Sequence, residues 1–230
     1  MKIFYVLTLV CFITFELHAQ DQRWFGVQGG AGSAWIAMPK TYISGPATFS
    51  PDIYQLSNAN NGINAYLGLT YSSQIKSSRF HFTPEMNLVY TAGDVVMRRV
   101  NTIDINAGSK SVQRKQEYWR LEVPLVFEVR TDDNFSVVLG PVLFANLHNS
   151  RAMESITEAI APDATMSSDY VAGWRFRFGV SKIYNEKYRF IVKWDIDQGK
   201  EDFLTFNGSK YKAQLYAQSI SLGFNYLFLK

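Results

Sequence analysis

The chain has 230 residues, 47% of them hydrophobic and 15% aromatic, with three histidines and one cysteine. A formal net charge of +3, without any basic block, leaves no electrostatic footprint for nucleic acid. One cysteine excludes a disulfide framework within the chain, and the mean hydropathy of −0.10 gives no hint of long apolar segments.

Met1–Ala19 reads as a secretory signal, with Lys2 as its positive start and Ile3–Phe15 as an apolar run too short to cross a bilayer. Glu16 ends that run, and Leu17-His18-Ala19 is an imperfect small-x-small cleavage site, so the mature chain is expected to begin at Gln20. Cys11 sits inside the apolar run behind Leu9-Val10, not behind a small residue, and is expected to leave with the signal instead of carrying a lipid. Residues 20–230 show neither a linker nor a shift in composition and read as one domain. No stretch of them is apolar enough for a membrane helix, so an exported chain of this kind is either soluble or spans as a barrel.

In chain order, the first strand is Trp24–Trp35, with Phe25, Val27, Ala31 and Trp35 on one face. Gly26, Gln28, Gly30 and Gly32 take the other, where glycine suits a tightly curved wall. Ile36–Asn61 reads as a long polar loop, followed by a strand at Gly62–Tyr71 and a short turn at Ser72–Ser78. Phe80–Thr91 is the third strand: Phe80, Phe82, Pro84, Met86, Leu88 and Tyr90 oppose His81, Thr83, Glu85 and Asn87. Ala92–Gln116 is a second long connection, with enough β-branched residues to extend the hairpin.

The fourth strand, Tyr118–Arg130 (YWRLEVPLVFEVR), has the clearest pattern. Trp119, Leu121, Val123, Leu125, Phe127 and Val129 form one face, against Arg120, Glu122, Glu128 and Arg130 on the other. A turn at Thr131–Asn134 leads to Phe135–Asn146, then to a third long loop, Leu147–Asp169, with a short helix expected at Met153–Ala161. Tyr170–Lys182 sends Trp174, Phe176, Phe178 and Val180 one way and Arg175 and Arg177 the other. Tyr188–Gly199 and Gln214–Lys230 complete eight strands, their hairpin carrying a type I′ signal at Asn207-Gly208.

Long and short connections alternate, and no helices are available to cover so many apolar faces. The pattern predicts an all-β fold: an eight-stranded antiparallel up-and-down transmembrane β-barrel with short periplasmic turns and long external loops in the cell outer membrane. The aromatics fall into two belts, Tyr71, Phe80, Tyr188 and Phe228 at the short-turn end and Trp35, Tyr90, Trp119 and Trp194 at the other. The inward set carries Glu85, Arg120, Glu122, Glu128, Arg130, Arg175, Arg177, Arg189, Lys193, Asp195 and Asp197. A one-residue slip would turn these charges to lipid at a cost on the order of 10–20 kcal/mol, which fixes the register.

Phe80–Tyr90 (FHFTPEMNLVY) and Tyr118–Phe127 (YWRLEVPLVF), with Leu139-Gly140-Pro141 and the closing Ile220–Phe228 (ISLGFNYLF), resemble the PorT-like outer-membrane β-barrel family of Bacteroidota. The resemblance spans essentially the whole mature chain and departs from the usual aromatic C-terminus, because Leu229-Lys230 follow Phe228. It implies the fold and the outer membrane, and only loosely a function: the family's namesake serves a protein-secretion system.

Six basic against five acidic lumen residues read either as an ion path or as a self-satisfying network. Eight strands leave an interior just wide enough for side chains, which favours a structural network of Glu85, Arg120, Glu122, Glu128, Arg175, Arg177, Arg189, Lys193 and Asp195. His148-Asn149-Ser150, with Glu154 nearby, resembles the His-x-Ser pair of outer-membrane lipid A deacylases, but strand parity puts His148 and Ser150 on the lumen side or in the loop. Asp195–Gly199 with Glu201 and Asp202 lacks the spacing of a calcium loop and reads as a solvated acidic segment. His81 and His148, without cysteine, do not make a transition-metal site, and no cofactor is expected. Arg98, Arg99, Lys110, Arg114 and Lys115 form a basic loop suited to lipopolysaccharide phosphates or simply to solvent. The expectation is a non-enzymatic structural or binding protein whose partners are outer-membrane lipid and lipopolysaccharide. The alternatives are an accessory of a secretion or uptake machine and a lipid A hydrolase using His148/Ser150.

Overall fold

The computed structural model describes residues 23–37, 41–44, 53–76, 78–100, 111–131, 134–149, 172–185, 187–197, 200–206 and 209–229. The signal segment, the helix expected at Met153–Ala161, the Asn207-Gly208 turn, Ser150 and Glu154 lie outside them. The strands are β1 (Arg23–Ala37), β2 (Thr41–Ser44), β3 (Ile53–Gln74), β4 (Phe80–Val100), β5 (Ser111–Arg130), β6 (Phe135–Asn149), β7 (Ala172–Tyr184), β8 (Tyr188–Asp197), β9 (Lys200–Phe206) and β10 (Ser209–Leu229).

Eight of these strands form a closed antiparallel barrel, each paired with its neighbours in the ring β1-β3-β4-β5-β6-β7-β8-β10. Closure is shown by β1, which pairs with β3 on one side (Val27 opposite Leu69) and with β10 on the other (Val27 opposite Tyr226). Closing the ring removes the exposed edges that a flat sheet would present. The two remaining strands lengthen hairpins above the ring, β2 pairing with β3 and β9 with β10.

The first long connection therefore departs from the expected polar loop, because Thr41-Tyr42-Ile43 pairs with Tyr54-Gln55-Leu56. β-Branched and aromatic residues at both ends of the segment favour strand over loop, a local signal outweighed in the sequence by the surrounding polar residues. The second connection behaves as expected: β4 and β5 stay paired as far as Arg98 opposite Ser111. At the opposite end the turns are short, and the described residues of each include one in the left-handed region: Lys76 (φ 48°), Asn134 (φ 58°) and Asn185 (φ 49°). Asparagine tolerates that conformation better than most residues, which explains two of the three positions.

Three prolines lie within the wall. The ladders skip Tyr71–Ser72 opposite Pro84, Glu85–Met86 opposite Pro124, and Leu125–Val126 opposite Pro141. Proline donates no ladder hydrogen bond, so a proline in a central strand interrupts pairing, and here closure of the ring holds the strands together across each gap.

The faces are inverted relative to a water-soluble barrel. Phe25, Val27, Leu67, Leu88, Trp119, Phe127, Leu139, Trp174, Phe178, Val192, Trp194, Leu222 and Phe224 are exposed on the outside, while every described charge on the inner face of the wall is buried. Phe82 also faces out, where it packs on Phe127 with ring centroids 5.3 Å apart.

The glycines on β1 and β10 have a specific task. The Tyr66 ring, from β3, lies along the inner wall over its ladder partner Gly30 on β1 and reaches Gly223 on β10, where any Cβ would collide with the phenol. Lys193 Nζ lies 4.2 Å from the ring centroid on the other side, a cation–π contact. Gly223→Ala is expected to lower stability by about 1–3 kcal/mol through overpacking. Tyr66→Phe in the same background should recover part of that loss, since the hydroxyl is the nearest atom. Urea unfolding in detergent micelles, followed by the heat-modifiable gel shift, measures both.

Candidate functional site

Strand parity sends one residue in two to the interior, and the closed ring brings residues far apart in sequence to the same height. Ten charged side chains, Glu85, Arg120, Glu122, Glu128, Arg130, Arg175, Arg177, Arg189, Lys193 and Asp195, are each at most 8% exposed. They separate into three groups along the barrel axis.

The central group joins β4, β5, β7 and β8. Arg177 holds Asp195 in a two-pronged contact, Nε to Oδ1 at 2.7 Å and Nη2 to Oδ2 at 3.1 Å, and donates from Nη1 to Glu85 Oε2 at 2.7 Å. Arg175 Nη2 donates to both Glu122 oxygens at 2.5 Å and reaches Asp195 Oδ2 at 3.3 Å. Lys193 Nζ donates to Glu85 Oε2 at 3.2 Å and to Gln28 Oε1 at 3.3 Å. Gln28 in turn donates to Asn87, which donates to Glu85 at 3.1 Å. Charge-assisted contacts between planar guanidinium and carboxylate groups are short and directional, so this lattice spans the interior and fixes opposite walls against each other.

The second group closes the short-turn end. Arg189 Nη2 lies 2.6 Å from Glu128 Oε1, and Arg189 Nε donates to Ser181 at 3.0 Å. Arg130 lies 3.6 Å from Glu128 Oε2, and its guanidinium sits 3.6 Å from the Trp24 ring centroid. His81 stacks on Trp24 with ring centroids 5.8 Å apart and planes 8° from parallel. The third group lies towards the long loops: Arg120 is held between the Tyr118 and Phe144 rings, 4.7 Å from each centroid, and donates to Asn146 at 3.0 Å.

Six of the nine network residues therefore meet in one lattice: Glu85, Glu122, Arg175, Arg177, Lys193 and Asp195. Glu128 and Arg189 form a separate cluster, and Arg120 packs between aromatic rings nearer the long loops. Sequence parity places all nine inside but does not give their relative heights, which depend on the stagger between strands. For the same reason the Trp24–Arg130–His81 stack, drawn from β1, β5 and β4, has no local signature.

Two expectations are corrected. His148 lies on the outer face, not the lumen side: a register shift between Trp119 and Arg120 lets Leu147 bulge, so His148 pairs with Trp119 while Asn146 stays with Arg120 inside. A bulge inserts one residue and reverses parity beyond it. Asp195 is no loop residue: it lies in β8, and Arg177 and Arg175 occupy its carboxylate. Among the described residues no group of three or more His, Cys, Asp or Glu is arranged to hold a metal. Of the expected basic loop, Arg98 and Arg99 lie in β4 and Arg114 and Lys115 in β5, and Lys115 bridges Glu117 at 2.8 Å and the Tyr90 hydroxyl at 3.2 Å. Hydrogen bonds from Lys115 and Tyr90 hold the Glu117 carboxyl below the usual glutamate range. Tyr90 packs against Trp119, ring centroids 5.0 Å apart, so the upper aromatic belt carries an ionic fringe.

The closed ring, the apolar exterior and the filled polar interior together define the organisation of a small membrane-spanning β-barrel. No family model and no curated protein matches the chain. Among solved structures it is similar to Neisserial surface protein A, at 12% identity over 89% of this chain and 97% of that one, with a TM-score of 0.42. It is also similar to the outer-membrane protein OprG from Pseudomonas aeruginosa, at 11% identity over 91% and 97%, with a TM-score of 0.46. AlkL, an outer-membrane protein determined in lipid bilayers, aligns at 9% identity over 94% of each chain, with a TM-score of 0.44. The fold assignment rests on the strand pairing itself.

Removing one partner of a buried ion pair strands the other charge, at a typical cost of about 3–5 kcal/mol. Glu122→Ala is therefore expected to lower the midpoint of the heat-modifiability transition markedly, because Arg175 loses both of its Glu122 contacts. Pairing it with Arg175→Met should cost much less than the sum of the two single changes, and a double-mutant cycle reads that coupling.

Proposed function

We propose that this chain is an integral outer-membrane protein, exported by the Met1–Ala19 signal, that acts through its external hairpins as a structural or binding element. It neither conducts nor catalyses. The observation that carries the reading is the inverted polarity of the wall: large apolar side chains stand exposed outside while charged ones are sealed within. Such a surface needs an apolar solvent, and the outer membrane is where small closed β-barrels find one.

The filled interior supports the non-conducting part. Two groups of charged side chains reach across the interior, one joining β4, β5, β7 and β8 and the other β5, β7 and β8, and a third, Arg120 between Tyr118 and Phe144, lines β5 and β6 towards the long loops. What remains for recognition is the set of extensions above the ring, formed by the β2–β3, β4–β5 and β9–β10 pairings. We also place the chain in the PorT-like family. That reading is supported by the Pro-Glu strand of β4 and the Glu-x-Pro strand of β5, whose glutamates Glu85 and Glu122 both enter the central lattice.

Cell fractionation should recover the protein with outer-membrane vesicles, and recovery in the soluble periplasm would overturn the reading. In planar bilayers the wild-type protein should show no steady conductance. A stable porin-sized current would mean that the interior is open and the non-conducting assignment wrong.

A further inference from the structure

The outer wall of the β6–β7–β8 sector carries a cation in a position meant for apolar side chains. Lys182, on β7, is directly opposite Phe135 of β6 and Phe190 of β8, and directly paired residues share a face. All three are exposed on the outside of the barrel. One step towards the long-loop end the outward row is Val137, Val180 and Val192; the step beyond that is Leu139, Phe178 and Trp194. One step towards the turns, Tyr184 is opposite Tyr188, both exposed. Lys187 follows in the turn, its main chain fixed by hydrogen bonds to Tyr184 and Leu227.

These rows form a polarity gradient. The three valines are shorter than the aromatic and leucine side chains on either side, so they form a shallow shelf across three strands. Below it lies an ammonium group flanked by two phenyl rings, then two phenols, then a second lysine. A long aliphatic stem with a terminal charge runs along apolar surface and delivers the charge to the interface. Tyrosine belongs at the same depth.

We propose that this sector is a binding site for an anionic glycerophospholipid, whose phosphate is held by Lys182 and Lys187 while an acyl chain lies across Val137, Val180 and Val192. The inference rests on the membrane placement proposed above and adds a specific lipid contact on the short-turn side. Charge complementarity selects the occupant, because each lysine near the surface favours an anionic headgroup by about fivefold. Glu186 precedes Lys187 in the sequence, and equal retention of both lipids by the wild type is the result expected if it neutralises the lysines.

The test uses the full mature protein in nanodiscs of equal parts phosphatidylglycerol and phosphatidylcholine, with the lipids retained after release counted by native mass spectrometry. Wild-type protein is expected to retain phosphatidylglycerol several-fold over phosphatidylcholine. Lys182→Gln should reduce that preference about fivefold, Lys182→Arg should keep it, and Lys187→Gln should weaken it. Equal retention of both lipids by the wild type, or an unchanged preference in Lys182→Gln, overturns the proposal. Heat-modifiable migration confirms folding of each variant. A chain that does not enter the nanodiscs at all contradicts the membrane reading, and that result is distinct from a barrel that inserts without lipid preference.

Discussion

Arg177 hydrogen-bonds Glu85 and Asp195 and lies 3.8 Å from a third carboxylate, Glu122, so the central lattice links β4, β5, β7 and β8. The rest of the molecule is compatible with that constraint. In a barrel whose outside meets hydrocarbon, packing against lipid does little to hold opposite walls together, so cross-lumen contacts carry that role. Buried ion pairs do not necessarily add net stability, because desolvation opposes the attraction. They do penalise any arrangement that leaves a member alone, and so they specify one register and one closure.

Small residues make the lattice possible on the opposite wall. Glycines on β1 and β10 let the Tyr66 ring lie flat against the inner wall across two strands, and the ring in turn covers Lys193. Aromatic rings also serve as partners for charge at both ends, Trp24 for Arg130 and the Tyr118–Phe144 pair for Arg120. A cation on a ring face retains electrostatic stabilisation without introducing a further carboxylate.

Much of this was legible in the sequence, for a simple reason: period-two alternation over long strands is a strong signal, and a slip would place charge in lipid. The inward glutamates of β4 and β5 and the paired arginines of β7 follow from parity alone. Features that depend on three-dimensional stagger did not. The grouping of the charges into a central lattice and two ends, the Trp24–His81 stack, and the seat of Tyr66 all join residues on non-adjacent strands or at heights that no local pattern encodes. Parity itself failed at Leu147, where one bulged residue turned His148 outward. The β2–β3 pairing has a weak local signal, because a few β-favouring residues are set among many polar ones.

The central claim is a dry, filled interior behind a lipid-facing exterior, and alternating accessibility along β8 and the adjoining β10 tests it most directly. Cys11 is the only native cysteine in the sequence, so single cysteines at Phe190, Ile191, Val192, Trp194 and Ser221 give clean spin-label sites. In reconstituted bilayers the labels at 190, 192 and 194 should collide with dissolved oxygen and not with a water-soluble nickel complex. Those at 191 and 221 should be reached by neither. Nickel access at 191 and 221 would reveal an aqueous path through the lumen and contradict the account.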